Sequence, residues 1–154
     1  TNLADVKEGD VVLDAGCGIG GSSVWLAKYR GAQVVGINLV DLQLKEGYKI
    51  TSRGKYGYNV FERADFVKAD YHQLPFKDEF FDVVWSLESI EHAASVEQFI
   101  REAFRVLRPS GRLIIAGTLS GKVPASQEQR RQLGVGVATS GHLKTQKLQR
   151  RYFR

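Results

Sequence analysis

The sequence contains one cysteine, three prolines and no methionine in 154 residues. A single cysteine, Cys17, excludes a disulfide framework and predicts a reducing, cytoplasmic compartment. No apolar run approaches the roughly 20 residues that span a bilayer, and the N-terminus lacks a signal-peptide pattern, so we expect neither a transmembrane segment nor secretion. The three histidines, His72, His92 and His142, have no metal-ligand spacing around them, and no metal site is predicted.

Acidic residues are nearly absent from the C-terminal segment 122–154, which has eight basic residues and one acid, Glu128. Residues 1–121 carry 14 basic and 16 acidic residues, so the net charge of +5 belongs to the tail. A basic tail attracts nucleic acid, anionic lipid or an acidic part of the same protein, whereas a solvated surface is the simpler interpretation. We therefore expect a core at 1–121 and a basic tail at 122–154 that forms part of an incomplete substrate lid. No nucleic-acid partner is expected, and peripheral membrane contact through the tail remains an alternative.

Short β-branched runs alternate with longer amphipathic stretches, the pattern of a mainly parallel sheet covered by helices. The predicted strands lie at 11–16, 33–39, 65–70, 80–86 and 112–117. The predicted helices lie at 22–30, 41–53 and 96–107, and Arg-Pro-Ser-Gly at 108–111 ends the third helix. After residue 121 only a short helix (126–133) and a glycine-rich loop (134–141) are predicted, without clear sixth and seventh strands. The fold class is therefore α/β, doubly wound, with helices on both faces of the sheet.

A glycine-rich loop, Asp-Ala-Gly-Cys-Gly-Ile-Gly-Gly at 14–21, lies between the first strand and the first helix. Glycines permit positive φ and a close approach of ligand to backbone, and the helix N-terminus offers free N–H donors. Two binding patterns fit the loop. The dinucleotide pattern G-x-G-x-x-G is met by Gly16, Gly18 and Gly21. The methyltransferase pattern D-x-G-x-G is met by Asp14, Gly16 and Gly18, with Gly20 following.

The residues around the loop favour the second pattern. A dinucleotide site calls for an acid about 20 residues further on, at the end of the second strand, where this chain has Asn38. Asp14 would repel a pyrophosphate, whereas a cationic sulfonium ligand with a free amino group tolerates it. A turn that binds no ligand is the remaining alternative.

Two further segments follow the third and fourth strands. Asp70 closes the third strand and precedes Leu-Pro-Phe at 74–76, and a carboxylate in that place can accept a hydrogen bond from an adenine amino group. The sequence Val-Trp-Ser-Leu-Glu-Ser-Ile-Glu-His at 84–92 lies at the end of the fourth strand, where open α/β sheets place their chemistry.

Four motifs together resemble the class I S-adenosylmethionine-dependent methyltransferases over residues 8–120. They are the glycine loop 14–21, Asp70 with Leu-Pro-Phe, Phe-Asp-Val-Val at 81–84, and 106–116. Within that superfamily, 16–23 and 84–92 resemble gamma-tocopherol methyltransferases and plant alkaloid N-methyltransferases. Residues 34–38 and 66–70 are similar to sterol methyltransferases, and bacterial sugar O-methyltransferases share a comparable fourth-strand segment. All of these enzymes act on small molecules.

The resemblance implies a Rossmann-like methyltransferase fold and S-adenosyl-L-methionine as cofactor, released as S-adenosyl-L-homocysteine. It assigns the cofactor-binding positions as follows. The methionine part is cradled by Asp14, Gly16, Gly18 and Gly20. The ribose lies at Asn38 and Leu39, and the adenine at Asp70 and the backbone of Tyr71. Ser86 and Leu87 flank the methionine moiety and the reacting methyl group.

The catalytic prediction rests on the segment after the fourth strand. Methyl transfer needs a base only if the acceptor carries a proton, and we predict His92 for that task because histidine titrates near neutral pH. In a helix, Glu88 would lie four residues from His92 and share its face, so Glu88 is its predicted partner. Glu91 would point elsewhere and is expected to be a solvated surface residue.

Three functions remain open at this stage. The first is a methyltransferase acting on a small-molecule phenol, quinol, amine or sterol-like acceptor. The second is an RNA or other nucleic-acid methyltransferase that uses the basic C-terminal segment. Against it, no Asn/Asp-Pro-Pro-Tyr sequence follows the fourth strand, and Cys17 lies inside the glycine loop, where it cannot attack a cytosine. The third is a nucleotide-binding module without catalysis.

Overall fold

The computed structural model describes residues 5–52, 60 and 62–117, and these residues form a five-stranded parallel sheet. The strands are β1 (Val11–Ala15), β2 (Gln33–Asn38), β3 (Ala64–Lys68), β4 (Phe81–Leu87) and β5 (Leu107–Ala116). Their order across the sheet is β3-β2-β1-β4-β5, and every neighbouring pair is parallel. After β1, the chain therefore adds β2 and β3 on one side of β1 and then β4 and β5 on the other.

Three helices cover the two faces of the sheet: α1 (Gly21–Arg30), α2 (Asp41–Ser52) and α3 (Val96–Val106). Successive strand residues point to opposite faces. Val12 of β1 packs with apolar residues of α1 and α2, whereas the next residue, Leu13, packs with Phe99 and Ala103 of α3. The two clusters thus place α1 and α2 on one face and α3 on the other. The predicted doubly wound α/β class is confirmed, and apart from the start of the fifth strand, the observed helices and strands begin and end within two residues of their predicted bounds.

The junction between α3 and β5 differs from the prediction. The sequence predicts that Arg-Pro-Ser-Gly at 108–111 separates the helix from a strand at 112–117, but β5 begins at Leu107, directly after α3. The pairing with β4 shifts register here, from Phe81 beside Leu107 to Val83 beside Arg112. Ser110 has a φ of 66°, so the extra residues leave the ladder as a bulge and the strand resumes at Arg112. The predicted tail 122–154, with its helix and loop, lies outside the described residues.

Candidate functional site

The carboxyl ends of β1 and β4 lie side by side at the centre of the sheet, where the direction of strand succession reverses. Asp14 of β1 pairs in register with Trp85 of β4. Open α/β sheets bind ligands in the crevice outside the strand ends at such a reversal point. The glycine loop follows β1 and the segment 88–92 follows β4, so the topology brings the two predicted site segments together.

Three glycines of the loop have positive φ: 81° at Gly16, 56° at Gly18 and 84° at Gly20. The backbone turns tightly, with the amide of Gly20 donating to the Cys17 carbonyl at 2.9 Å, and α1 begins at once. At Gly18, no atom of the described residues lies within 4 Å of the position that a Cβ would take. At Gly16, a Cβ would lie 1.8 Å from Oγ of Ser89. Gly18 therefore leaves open space beside the helix N-terminus, whereas Gly16 permits the approach of the segment after β4.

Asp14 is buried at the start of this loop, with 1% of its surface exposed. Its Oδ2 accepts hydrogen bonds from the hydroxyls of Ser22 and Ser23, each at 2.6 Å, and so ties the first turn of α1 to β1. Burial raises the pKa of the Asp14 carboxyl, and the two serine hydroxyls partly offset that rise. Asp14 therefore holds the first turn of α1 against the end of β1.

The ring of Phe66 packs against the loop from the side of α2. A Cβ on Gly20 would lie 2.5 Å from its Cζ, and a Cβ on Gly36 or Gly47 would lie 2.8 Å or 3.0 Å from ring atoms. Cys17 joins Phe66 in the same buried cluster. Burial, with a smaller contribution from the charge of Asp14, raises the pKa of the Cys17 thiol to about 12. Cys17 is therefore a packing residue in this position.

Asn38 ends β2 beside the glycine loop. Its Nδ2 donates to the Gly18 carbonyl at 3.3 Å and to Oε1 of Gln43 at 2.7 Å, while its Oδ1 accepts from the Val40 amide at 3.1 Å. Leu39 next to it is 59% exposed. The predicted ribose position is thus next to the loop, and its amide is already oriented by α2.

Asp70 lies two residues beyond the end of β3, on a turn that it organises itself. Its Oδ1 accepts from the His72 amide at 2.8 Å and lies 2.6 Å from Nδ1 of the His72 ring. The hydrogen bond from the His72 amide is the main cause that lowers the pKa of the Asp70 carboxyl. Tyr71 between them is half-buried and its hydroxyl donates to the Ser89 carbonyl at 3.4 Å, which links this turn to the segment after β4.

The segment after β4 contradicts the helical geometry assumed for the catalytic pair. Ser86 and Leu87 are the last residues of β4, and Glu88 follows with a φ of 47°. Only one turn of 3-10 helix forms, at Ile90–His92. Glu88 lies before this turn, so Glu88 and His92 do not share the face of an α-helix. The expected partnership of Glu88 with His92 therefore has no helix to support it, although both side chains are exposed near the strand end.

Two side chains near this strand end hold buried polar atoms without a hydrogen-bond partner among the described residues. They are Oγ of Ser86, which is 1% exposed, and Oε2 of Glu91. The expectation that Glu91 is a solvated surface residue is wrong: its Oε2 lies 2.9 Å from where a Cβ of Gly117 would be, at the end of β5. Within the described ranges, no group of three potential ligands is placed to hold a metal ion.

Several residues that contact the predicted site residues lie outside the four motifs. Ser22 and Ser23 follow the loop as the partners of Asp14, and their place in the first helical turn after a buried acid is a signal that could have found them. Gln43, in the first turn of α2, orients Asn38. His72 pairs with Asp70 two residues before it, a spacing typical of turns that an aspartate caps.

The family model described as "Methyltransferase domain" matches residues 13–115, which include the glycine loop, Asp70 and the end of β4. The chain belongs to this family. The methyltransferase domain is 42% identical over 113 residues to methyltransferase GfsG of Streptomyces halstedii, a match that covers 73% of this chain and 39% of the relative. It is 38% identical over 128 residues to the chloroplastic tocopherol O-methyltransferase of Arabidopsis thaliana, covering 83% and 36%.

A solved structure shares the architecture of the methyltransferase domain. It is the geranyl diphosphate C-methyltransferase of Streptomyces coelicolor A3(2), in complex with Mg²⁺, geranyl diphosphate and S-adenosyl-L-homocysteine. The TM-score is 0.63 at 25% identity, and the match covers 70% of this chain and 38% of that one. The predicted family and Rossmann-like fold are confirmed. The chain spans less than half the length of each of these three proteins.

Proposed function

We propose that this domain binds S-adenosyl-L-methionine at the carboxyl edge of its sheet and transfers the methyl group to a small-molecule acceptor. The acceptor class is a phenol or quinol, an amine or a sterol-like molecule. The observation that carries the proposal is the glycine loop at the carboxyl end of β1: three of its glycines have positive φ, and among the described residues a Cβ on Gly18 would meet no atom within 4 Å and no side chain caps the N-terminus of α1.

The residues of the site fit the predicted cofactor. The loop offers backbone at positive φ for the close approach of a ligand, and Asn38 and Asp70 lie at the ends of β2 and β3, where a nucleoside would extend. Asp70 Oδ2 has no donor among the described residues and is available to an amino group. The buried hydroxyl of Ser86 also lacks a partner in this part of the chain, which suits a polar group of a ligand bound beside β4.

When bound, the cofactor supplies an electrophilic methyl group on a sulfonium. The chain's own contribution is to fix the two reactants in line and to exclude water between them. Ser86 and Leu87 flank the predicted position of the methionine moiety. His92, exposed after the same strand, is the proposed base for a proton of an acceptor hydroxyl or amine, and Glu88, also exposed there, is its proposed partner.

The small-molecule assignment draws support from the printed activities of the relatives, which include a tocopherol O-methyltransferase and sterol 24-C-methyltransferases. Nothing in the described residues favours the RNA alternative. Among those residues no helix is long and apolar enough to cross a membrane. Contact of the basic tail with a membrane surface, and the cytoplasmic location inferred from the single cysteine, remain proposals.

Calorimetric titration tests the cofactor assignment directly. S-adenosyl-L-methionine or S-adenosyl-L-homocysteine should bind with a roughly micromolar dissociation constant, about −8 kcal/mol. Gly18→Trp should abolish binding because the indole would fill the open space at the loop. Tighter binding of a nicotinamide dinucleotide would overturn the assignment. The acceptor is then sought by intact-mass detection of methylated products in a metabolite extract, with RNA as the competing substrate class.

A further inference from the structure

We propose that His72 is a positioning residue for the cofactor: its ring holds one oxygen of Asp70 and leaves the other to accept from the adenine amino group. The inference rests on the proposed function and deepens it at the adenine end of the site. It concerns a histidine that neither touches the cofactor cradle at Gly18 nor belongs to the predicted catalytic pair.

The hydrogen bonds around the ring define its tautomer. Nε2 of His72 lies 3.2 Å from the Ser95 amide, and because a backbone N–H can only donate, Nε2 must accept. The neutral ring then carries its proton on Nδ1, which lies 2.6 Å from Oδ1 of Asp70 and donates to it. The ring is thus a neutral bridge between the carboxylate and the first residue before α3.

Neighbouring residues hold the His72 ring in place. Ser95 is the N-cap of α3 and its own Oγ accepts from the Gln98 amide at 3.2 Å. The Gln98 side chain donates to the His72 carbonyl at 3.1 Å, and the Tyr71 ring meets the imidazole edge-on at a centroid distance of 4.8 Å. The His72 side chain is only 16% exposed, whereas the Asp70 side chain is 48% exposed. An exposed carboxylate is therefore oriented by a largely buried partner.

The two carboxylate oxygens of Asp70 therefore differ in their hydrogen-bond partners. Oδ1 accepts two hydrogen bonds from His72, one from the backbone amide and one from the ring. Oδ2 has no donor within the described residues and is left for a ligand. A carboxylate fixed in one rotamer loses less conformational freedom on binding than a mobile one, and so binds its partner more tightly.

Two conservative variants separate the two functions of the ring. In His72→Asn, the amide nitrogen takes the place of Nδ1 and can still donate to Asp70, but nothing reaches Ser95. In His72→Gln, the amide oxygen takes the place of Nε2 and can still accept from Ser95, but no side-chain atom of residue 72 reaches Oδ1, which keeps only the hydrogen bond from the backbone amide. The two variants therefore form a matched pair, each with one of the two hydrogen bonds.

The test measures binding of S-adenosyl-L-homocysteine to the full chain and to both variants by calorimetry. The same titrations use an analogue with hydrogen in place of the adenine amino group. We expect His72→Gln to weaken binding of S-adenosyl-L-homocysteine by about 2- to 12-fold, the range for one net hydrogen bond. His72→Asn should restore affinity close to that of the parent. The analogue should bind all three proteins alike, because it has no amino group for Asp70 to accept from.

Each other outcome contradicts the proposal in a recognisable way. Equal losses with both ligands would make His72 a purely structural residue, and unchanged affinity in His72→Gln would remove its role altogether. If the parent binds neither ligand, the proposed function fails as well. Should a variant not fold, the imidazole ¹⁵N shifts of the parent decide: the Nδ1–H tautomer supports the proposal and the Nε2–H tautomer overturns it.

Discussion

Two carboxylates toward the carboxyl ends of the strands, Asp14 in β1 and Asp70 after β3, have opposite environments. Asp14 is buried and accepts hydrogen bonds from two serine hydroxyls, and burial raises the pKa of its carboxyl. Asp70 is exposed and accepts from the His72 amide, which lowers the pKa of its carboxyl. The same residue type thus fixes a helix in one place and presents a free oxygen in the other. Burial and hydrogen-bond donors decide which of these two functions an aspartate performs.

The raised pKa of Asp14 predicts an unusual pH dependence of stability. Between the pKa of Asp14 in the unfolded chain and its higher value in the fold, the folded state binds more protons, so stability falls as pH rises. We expect the free energy of unfolding of the parent, relative to Asp14→Asn, to decrease across this window by at most about 1.4 kcal/mol per pH unit. Chemical denaturation of both proteins from pH 4 to 7 measures this difference. A difference that grows with pH would contradict it.

His92 is the predicted base, and its removal should affect turnover but not cofactor binding. If His92 takes a proton during transfer, His92→Ala should lower turnover by roughly 10²–10⁴-fold. The affinity for S-adenosyl-L-homocysteine should stay unchanged, since His92 is assigned to the acceptor. Near-normal turnover in the variant would make His92 structural, with a carbon or an already deprotonated atom as acceptor.

At the scale of elements, the regular parts of the fold were predictable and the irregular parts were not. Each strand and helix has its own local pattern, so five strands and three helices could be read from the sequence. The bulge at Ser110 and the turn at Glu88 could not, because both have positive φ at residues other than glycine. The glycine loop was predictable from its spacing. The partners of Asp14 and Asp70 were not, since a hydrogen bond between side chains leaves no periodic pattern.

The loop between β1 and α1 yields a prediction from two glycines with similar backbone conformations. Both Gly18 and Gly20 have positive φ, so an alanine at either should cost about 1–2 kcal/mol of backbone strain. Gly20→Ala should cost about 1–3 kcal/mol more, because its Cβ would lie 2.5 Å from the Phe66 ring. Thermal or chemical denaturation measures both.

Gly18→Ala serves as the matched control for strain and also has its own expected result. It should fold with the smaller loss of stability and bind S-adenosyl-L-homocysteine more weakly, because its methyl group enters the open space at the loop. Equal destabilisation of the two variants would show that Phe66 moves aside without cost.

At the scale of the whole molecule, the polar groups at the amino ends of the strands are paired with one another, whereas several at the carboxyl ends are not, within the described ranges. At the amino ends, Asp82 accepts from the Val11 amide at 2.8 Å and pairs with Arg108 at 2.9 Å, which joins β1, β4 and β5. At the carboxyl ends lie the open loop, the free oxygen of Asp70 and the buried hydroxyl of Ser86. The amino ends of the strands are therefore closed by paired charges, whereas the carboxyl ends have polar atoms without a partner among the described residues.

The basic segment 122–154 gives a prediction for the full chain. Its charges should bind RNA or DNA only weakly, without preference for sequence and with a steep loss of affinity as salt increases. Fluorescence anisotropy with several labelled oligonucleotides, at low and at physiological salt, measures this. Tight binding of one sequence at physiological salt would favour the RNA methyltransferase alternative over the small-molecule one.

The packing of Phe66 against Gly20, Gly36 and Gly47 makes its ring a reporter of motion. A phenyl ring can rotate by 180° only if the surrounding atoms move outward, and here those atoms belong to the backbone of the loop, of β2 and of α2. The rate of ring flipping, measured from the line shapes of a ring-labelled Phe66, therefore depends on how often the loop, β2 and α2 move apart. A bound cofactor that restrains the loop should slow the flips. The difference in flip rate with and without cofactor would then measure that restraint at one side chain.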